Sequence, residues 1–235
     1  HTKSRIYFNI NKDFFLKNIK VFYTPHGFRH KQKKYISACF HLGIEKLLLN
    51  FIDHLFLLTL DELIFIKDRN YKKYTLLNNV IDVDDYKQKK YIKIYNKKKI
   101  ILNISNLDSI KQPALFIEVA QKVIKKNKNI IFIWVGKISK EFLNIIPNNK
   151  NIIFTGYKKK KSIIKYLQSA DLFFLTSRHE TLPYVILEAS YFKIKILINK
   201  FYNNNKFKDF NNLSTFNYND ARDAKNKIFK LLFDK

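Results

Sequence analysis

The sequence predicts an α/β protein built on doubly wound parallel sheet, and three observations predict it. Short apolar runs of four to six residues recur along the chain, and runs without polar alternation are what a strand covered on both faces requires. Helix-length segments separate most of these runs, as crossovers between parallel strands must. A hydrophilic stretch rich in Lys, Tyr and Asp, 82–99, divides the series, so two domains are expected, 1–96 and 97–235.

In the first half, residues 19–24 (IKVFYT) read as a buried strand, 34–51 as a helix and 54–59 (HLFLLT) as a strand. Residues 61–67 form a short helix with Asp61 as its cap, and 74–77 a further strand ended by Asn78 and Asn79. The second half restarts more clearly. Strands are expected at 99–104 (KIILNI), 130–135 (IIFIWV), 151–155 (NIIFT), 171–176 (DLFFLT) and 194–199. Between them lie helices at 113–126, 139–145 (weak), 161–169 and 183–192, the first and last opened by Pro113 and Pro183.

Composition excludes several classes. The chain has 235 residues, 46% of them hydrophobic and 16% aromatic, so it is no disordered tail. A single cysteine, Cys39, excludes a disulfide framework and a Cys-built zinc site, and fits a reducing compartment. No metal-ligand spacing is found among His30, His41, His54 and His179. The longest apolar run, 47–60, is interrupted by Asn50, Asp53 and His54 and falls short of the roughly 20 residues a membrane span needs. There is no Met, even at position 1, and we expect the native start to lie upstream.

The formal charge is +26, which invites a nucleic-acid reading. Its texture argues otherwise. Forty of the 45 basic residues are lysines, spread over the whole chain, and lysine lacks the planar fork that reads bases and phosphates. Heavy use of Lys, Asn, Ile, Tyr and Phe, with only four Gly and four Pro, is explained by AT-rich codons alone. No specific nucleic-acid partner is expected. Anionic lipid headgroups would still attract such a surface, at about 1 kcal/mol per lysine near the membrane.

Ligands of doubly wound sheets bind beyond the carboxyl ends of the strands. There, residues 169–190 (SADLFFLTSRHETLPYVILEAS) run from a buried strand through a loop with Arg178, His179 and Glu180 into a helix opened by Pro183. A helix start offers unpaired N–H groups and the positive end of a dipole. Glu180 stands just before that helix and Glu188 two turns inside it, and two acceptor-only groups so placed can hold the hydroxyls of one polyhydroxylated ligand. Taken alone, two glutamates at this spacing are as well explained as solvated helix charges.

Those residues resemble the E-x7-E signature of family 4 glycosyltransferases, in the context S-R-x-E-x-L-P-x-V-x-L-E-A. The resemblance extends to 103–112 (NISNLDSIKQ), similar to the strand-end segment G-R-L-x-x-x-K-G/N, to 129–136 (NIIFIWVG) and to 151–156 (NIIFTG). In the first half, 23–28 (YTPHGF) resembles the strand-end H-G-F of capsule and surface-polysaccharide transferases. Residues 44–46 (IEK), followed by Asp53, Thr59 and Glu62, resemble their I-E-K … D … T-x-x-E run, and 1–4 (HTKS) their earlier H-x-H-S/T-x-K-A loop. Gly27, Gly136 and Gly156 fall where the family also has glycine.

The resemblance implies a GT-B fold of two Rossmann-like doubly wound domains, the first incomplete because its opening strands and Gly-rich loop are not in this sequence. It implies a retaining hexosyltransferase that moves a sugar from a nucleotide sugar, with a UDP-sugar the expected donor. The acceptor would be a glycan or lipid-linked saccharide of surface polysaccharide synthesis. Glu188 would bond the ribose. Glu180 would contact the transferred sugar, helped by the backbone at Thr181, Leu182 and Pro183. Lys111 would neutralise the departing diphosphate, His26 would face the sugar from the other domain, and Gly156 and Tyr157 would border the base. No metal or other cofactor is implied, since protein cations and helix N–H groups would carry the phosphate charge. A cytoplasmic location, peripheral on the inner membrane face, follows from the acceptor. Three departures stand out: Asn106 where the family has a donor-binding arginine, Ser105 where it has glycine, and Thr181 where glycine is common. Beyond Asn199 the Gly-rich donor loop is replaced by KFYNNNKFKDF. A degenerate, inactive homologue is therefore the alternative, ahead of a basic nucleic-acid-binding protein.

Overall fold

The computed structural model describes residues 19–25, 43–45, 47–59, 62–63, 73–87, 93–95, 97–200, 207 and 209–234. The chain forms two compact units, 1–79 and 80–235.

The described part of the first unit is a three-stranded parallel sheet in the order β1 (Phe22–Tyr23), β2 (His54–Leu57), β3 (Tyr74–Leu76). Leu55 and Leu57 point to one face and pack with Leu49 and Ile52, with Tyr23, Leu63 and Tyr74 against them. The other face carries His54 and Phe56, so β2 alternates, and Phe22 of β1 is 59% exposed, so the strand expected to be buried is open on one face. Residues 43–45 and 47–49 are helical, as expected, and so are 62–63. The acids of the T-x-x-E run hold backbone. Asp53 accepts from the Val21 N–H, and Glu62, 3% exposed, accepts from the Leu58 N–H at 2.7 Å. His26 and 1–4 lie outside the described residues.

The second unit carries six parallel strands in the order β6-β5-β4-β7-β8-β9. These are β4 (Lys99–Ile104), β5 (Ile130–Val135), β6 (Ile152–Phe154), β7 (Leu172–Leu175), β8 (Lys195–Asn199) and β9 (Leu213–Phe216). Among the described residues, four α-helices cover it: α1 (Pro113–Lys126), α2 (Lys160–Ser169), α3 (Tyr184–Tyr191) and α4 (Ala221–Phe233). Alternation along each strand splits the apolar residues between two cores. Ile101, Phe132, Trp134, Phe174, Leu197 and Phe216 face α1 and α4, with Phe116, Val119, Ala224 and Ile228. Ile100, Leu102, Ile131, Ile133, Phe173, Leu175, Ile196 and Ile198 face α2 and α3, with Leu167, Ile186 and Ala189. Both faces are buried, which is why the runs read as continuously apolar.

Residues 80–96, which composition assigns to the first domain, contribute to this unit. Tyr86 packs on Tyr191 and Phe192, Lys93 pairs with Asp171, and the Ile94 N–H donates to Ser169. Two elements lie beyond the predicted series, β9 and α4. The expected helix at 139–145 is a 3₁₀ helix, Lys140–Ile145. Pro183 is the N-cap of α3 in extended conformation, φ −71° and ψ 135°, and not its first helical residue. Glu188 is the fifth residue of α3, so it stands little more than one turn inside and not two.

Candidate functional site

Strand order reverses between β4 and β7, whose neighbours lie on opposite sides. The loops leaving their carboxyl ends, 105–112 and 176–183, lead to helices on opposite faces of the sheet, the arrangement of a topological switch point.

Local chemistry shapes both loops. Asp108 accepts from the N–H groups of Ile110 (2.9 Å) and Lys111 (3.1 Å), which starts the short 3₁₀ turn Ser109–Lys111. Gln112 then takes a left-handed conformation, φ 51°, and Pro113 opens α1. The second loop is tied to the first by backbone. Thr176 Oγ1 donates to the Lys111 carbonyl at 2.7 Å, and the Arg178 N–H donates to the Ile110 carbonyl at 2.8 Å. Across this seam Lys111 Nζ meets Glu180 Oε1 at 2.5 Å. The side chains are 22% and 9% exposed, so the pair is largely desolvated, and each charge depends on the other for compensation.

A buried amide cluster lies under the seam. Asn199 Nδ2 faces the Gln112 amide at 3.0 Å and the Thr176 and Ser177 carbonyls at 3.3 and 3.4 Å. The Gln112 and Asn219 side chains meet at 2.7 Å. Asn103, fully buried near the end of β4, donates to the Phe174 carbonyl at 2.8 Å and accepts from Ser105 Oγ. Ser177 Oγ is a buried hydroxyl without a hydrogen-bond partner among the described residues.

The sequence-predicted residues fall into groups. Lys111 and Glu180 come together. Thr181 is half-buried, while Leu182 sinks its side chain into the α3-side core and so anchors the loop before Pro183. Glu188, half-buried on α3, accepts a hydrogen bond of 2.5 Å from the Tyr86 hydroxyl. Asn106 is exposed. Gly136 follows β5 with φ +152°, and its N–H donates to the Gly156 carbonyl. Gly156 follows β6 with φ +69°, a left-handed conformation that favours glycine. Tyr157 after it is 73% exposed, beyond the edge strand β6. Among the described residues, no cluster of three or more His, Cys, Asp or Glu is grouped to hold a metal ion. No helix among them is long and apolar enough to cross a membrane.

Sequence reasoning missed Asp108, Thr176, Asn199 and Tyr86. The signal for Asp108 was present, since Asp before a turn is a capping residue. Nothing local marks Tyr86, whose partner lies 102 positions away.

A cavity of about 600 Å³ opens at the other end of this sheet, between Lys99, Asp171, Lys193 and Lys195. Helix carboxyl ends converge there, and Lys195 Nζ donates to the Leu231 carbonyl in the last turn of α4. Lys93 and Lys99 both pair with Asp171. Its lysines therefore answer helix dipoles and a carboxylate, and the chemistry points to the switch point instead.

Residues 84–235 match the family Glycosyl transferases group 1. No curated protein matches the chain. Among solved structures it is similar to TarM, at 22% identity and TM-score 0.74, over 92% of this chain and 44% of that one. It is similar to HepE of Anabaena in complex with UDP and glucose, at 13% identity and TM-score 0.78, over 100% of this chain and 67% of that one. A sucrose-phosphate synthase of Thermosynechococcus elongatus aligns at 15% identity and TM-score 0.78, over 100% and 63%. The chain thus spans less than half the length of TarM. These likenesses concern the fold, and the family match covers about two thirds of the chain, including both loops of the switch point. The chain belongs to the group 1 glycosyl transferases, and its α/β architecture is the GT-B fold of its structural neighbours.

Proposed function

We propose that the chain binds a UDP-sugar at the switch point of the six-stranded sheet and belongs to a family 4 retaining hexosyltransferase. The observation that carries the reading is the Lys111–Glu180 pair. In a nucleotide sugar the β-phosphate and the anomeric carbon share one oxygen. A cation for the diphosphate and a carboxylate for the sugar must therefore stand side by side, and these two do. Lys111 takes the charge that develops on the departing diphosphate, Glu180 and the backbone at Thr181–Pro183 hold the sugar, and Glu188 bonds the ribose. Gly156 and Tyr157 border the base. No resident cofactor is called on. The likeness to HepE, solved with UDP and glucose, supports UDP as the carrier. The likeness to WaaG, involved in lipopolysaccharide biosynthesis, supports a glycan or lipid-linked acceptor in surface polysaccharide synthesis. The excess of lysine suits a peripheral position on the inner membrane face. Titration with UDP tests the reading: Glu188→Ala is expected to weaken binding about tenfold or more, the loss of charged hydrogen bonds to a diol.

A second reading, a degenerate homologue, is favoured by Asn106, a neutral exposed side chain where the resemblance expects a donor-binding arginine. Asn106→Arg is expected to tighten UDP about three- to tenfold, since a cation regained near a partly exposed diphosphate contributes on the order of 1 kcal/mol. Transfer by the Arg variant but not by the parent chain would support degeneracy. Unchanged UDP affinity would place position 106 away from the phosphates.

A further inference from the structure

We propose that Tyr86 is a positioning residue for Glu188, fixing the carboxylate that receives the nucleotide ribose. The inference rests on the donor-site reading above and adds a residue to it.

Tyr86 ends the 3₁₀ turn Val83–Tyr86, which Asp82 caps by accepting from the Asp84 N–H at 3.0 Å. Its ring is 5% exposed, 5.6 Å from Tyr191 and 5.9 Å edge-on from Phe192 between centroids. The Lys160 ammonium stands 5.2 Å from the ring centroid. The ring is thus clamped by residues of α3, its C-cap and α2. From that fixed position the hydroxyl donates to Glu188 Oε1 at 2.5 Å.

Glutamate on a half-exposed helix face samples many rotamers, and a ligand that must order such a side chain gives up affinity to its lost conformational entropy. A buried tyrosine that holds one oxygen removes that cost before the ligand arrives. It leaves Oε2, which has no partner among the described residues, and the remaining lone pair of Oε1 to accept from a ribose diol. The aromatic pocket alone would be filled as well by phenylalanine. Only the hydroxyl needs tyrosine, and it donates to Glu188. The segment that carries it was assigned to the first domain by composition, so the structure gives it a task in the other unit.

The test is a double-mutant cycle read by UDP titration of the full chain, using Tyr86→Phe, Glu188→Ala and the double variant. Tyr86→Phe keeps the ring packing and removes the hydrogen bond to Glu188. It is expected to weaken UDP about fivefold in the parent chain and to change nothing in the Glu188→Ala background. A purely structural tyrosine would lower the thermal midpoint and weaken UDP equally in both backgrounds, which would overturn the proposal. Unchanged affinity of Tyr86→Phe, beside a weakened Glu188→Ala, would overturn it and leave the donor site standing. If Glu188→Ala itself bound UDP as the parent does, the donor-site reading would fail and this proposal with it.

Discussion

Glu180→Ala is expected to reduce release of UDP from UDP-sugars by about a hundredfold or more while leaving UDP affinity within about twofold. The asymmetry follows from the ion pair. Glu180 is nearly buried and bonded to Lys111, so its carboxylate is held in place, and the proposed donor site sets it against the sugar and not against the nucleotide. Preorganised groups at the reacting centre contribute in the transition state, and removing one typically costs two to three powers of ten. Removing this carboxylate also releases Lys111, which can then pair with the free diphosphate, so the affinity for UDP has no reason to fall. The measurement is UDP release over a panel of UDP-sugars beside a binding titration. A variant that loses UDP affinity in step with turnover would show that Glu180 serves only to hold Lys111.

Gly136→Ala is expected to be the most damaging single-methyl change in the second unit, costing about 4 kcal/mol or more. Two effects add. The residue sits at φ +152°, where an L side chain is strained by about 1–3 kcal/mol. A Cβ there would also stand 2.0 Å from the Ser105 carbonyl oxygen and 2.6 Å from its carbon. Backbone is in the way, and it cannot step aside. The Ser105 oxygen accepts from the indole N–H of the fully buried Trp134 at 2.8 Å, and the Ser105 N–H donates to Val135. Displacing it would orphan a buried donor and disturb the loop that leads to Asn106 and Lys111. Thermal or urea unfolding of the full chain reads the loss, with Gly43→Ala as the control, since a Cβ there meets nothing within 4 Å. Parent-like stability of Gly136→Ala would contradict the close approach of the two strand ends.

Strand runs such as IIFIWV announced themselves because both faces of the sheet are buried, and 113–126 is a helix with the bounds that its proline and apolar spacing suggest. β9 was harder to see because LSTF holds only two apolar residues and forms the sheet edge. α4 was legible in principle: Asp220 caps it by accepting from the Arg222 and Asp223 N–H groups, and Ala221, Ala224 and Ile228 repeat at helical spacing. The lysine background obscured that pattern. Of the site, the residue types were legible and their pairing was not. Lys111 and Glu180 lie 69 positions apart and meet only because β4 and β7 are neighbours, a fact of strand order that no local window contains. Tyr86 and Glu188 lie 102 positions apart and are likewise beyond any local window.

A charge of +26 will draw any anion, so mere binding of UDP would say little. The sign of a mutational effect says more. Glu188→Ala makes the chain more positive and would strengthen an attraction that is only electrostatic. Calorimetric titration of UDP into the parent chain and into Glu188→Ala, at physiological salt, therefore tests the account most directly. A saturable signal that weakens about tenfold in the variant is the predicted result. No saturable signal in the parent, or tighter binding by the variant, would contradict it.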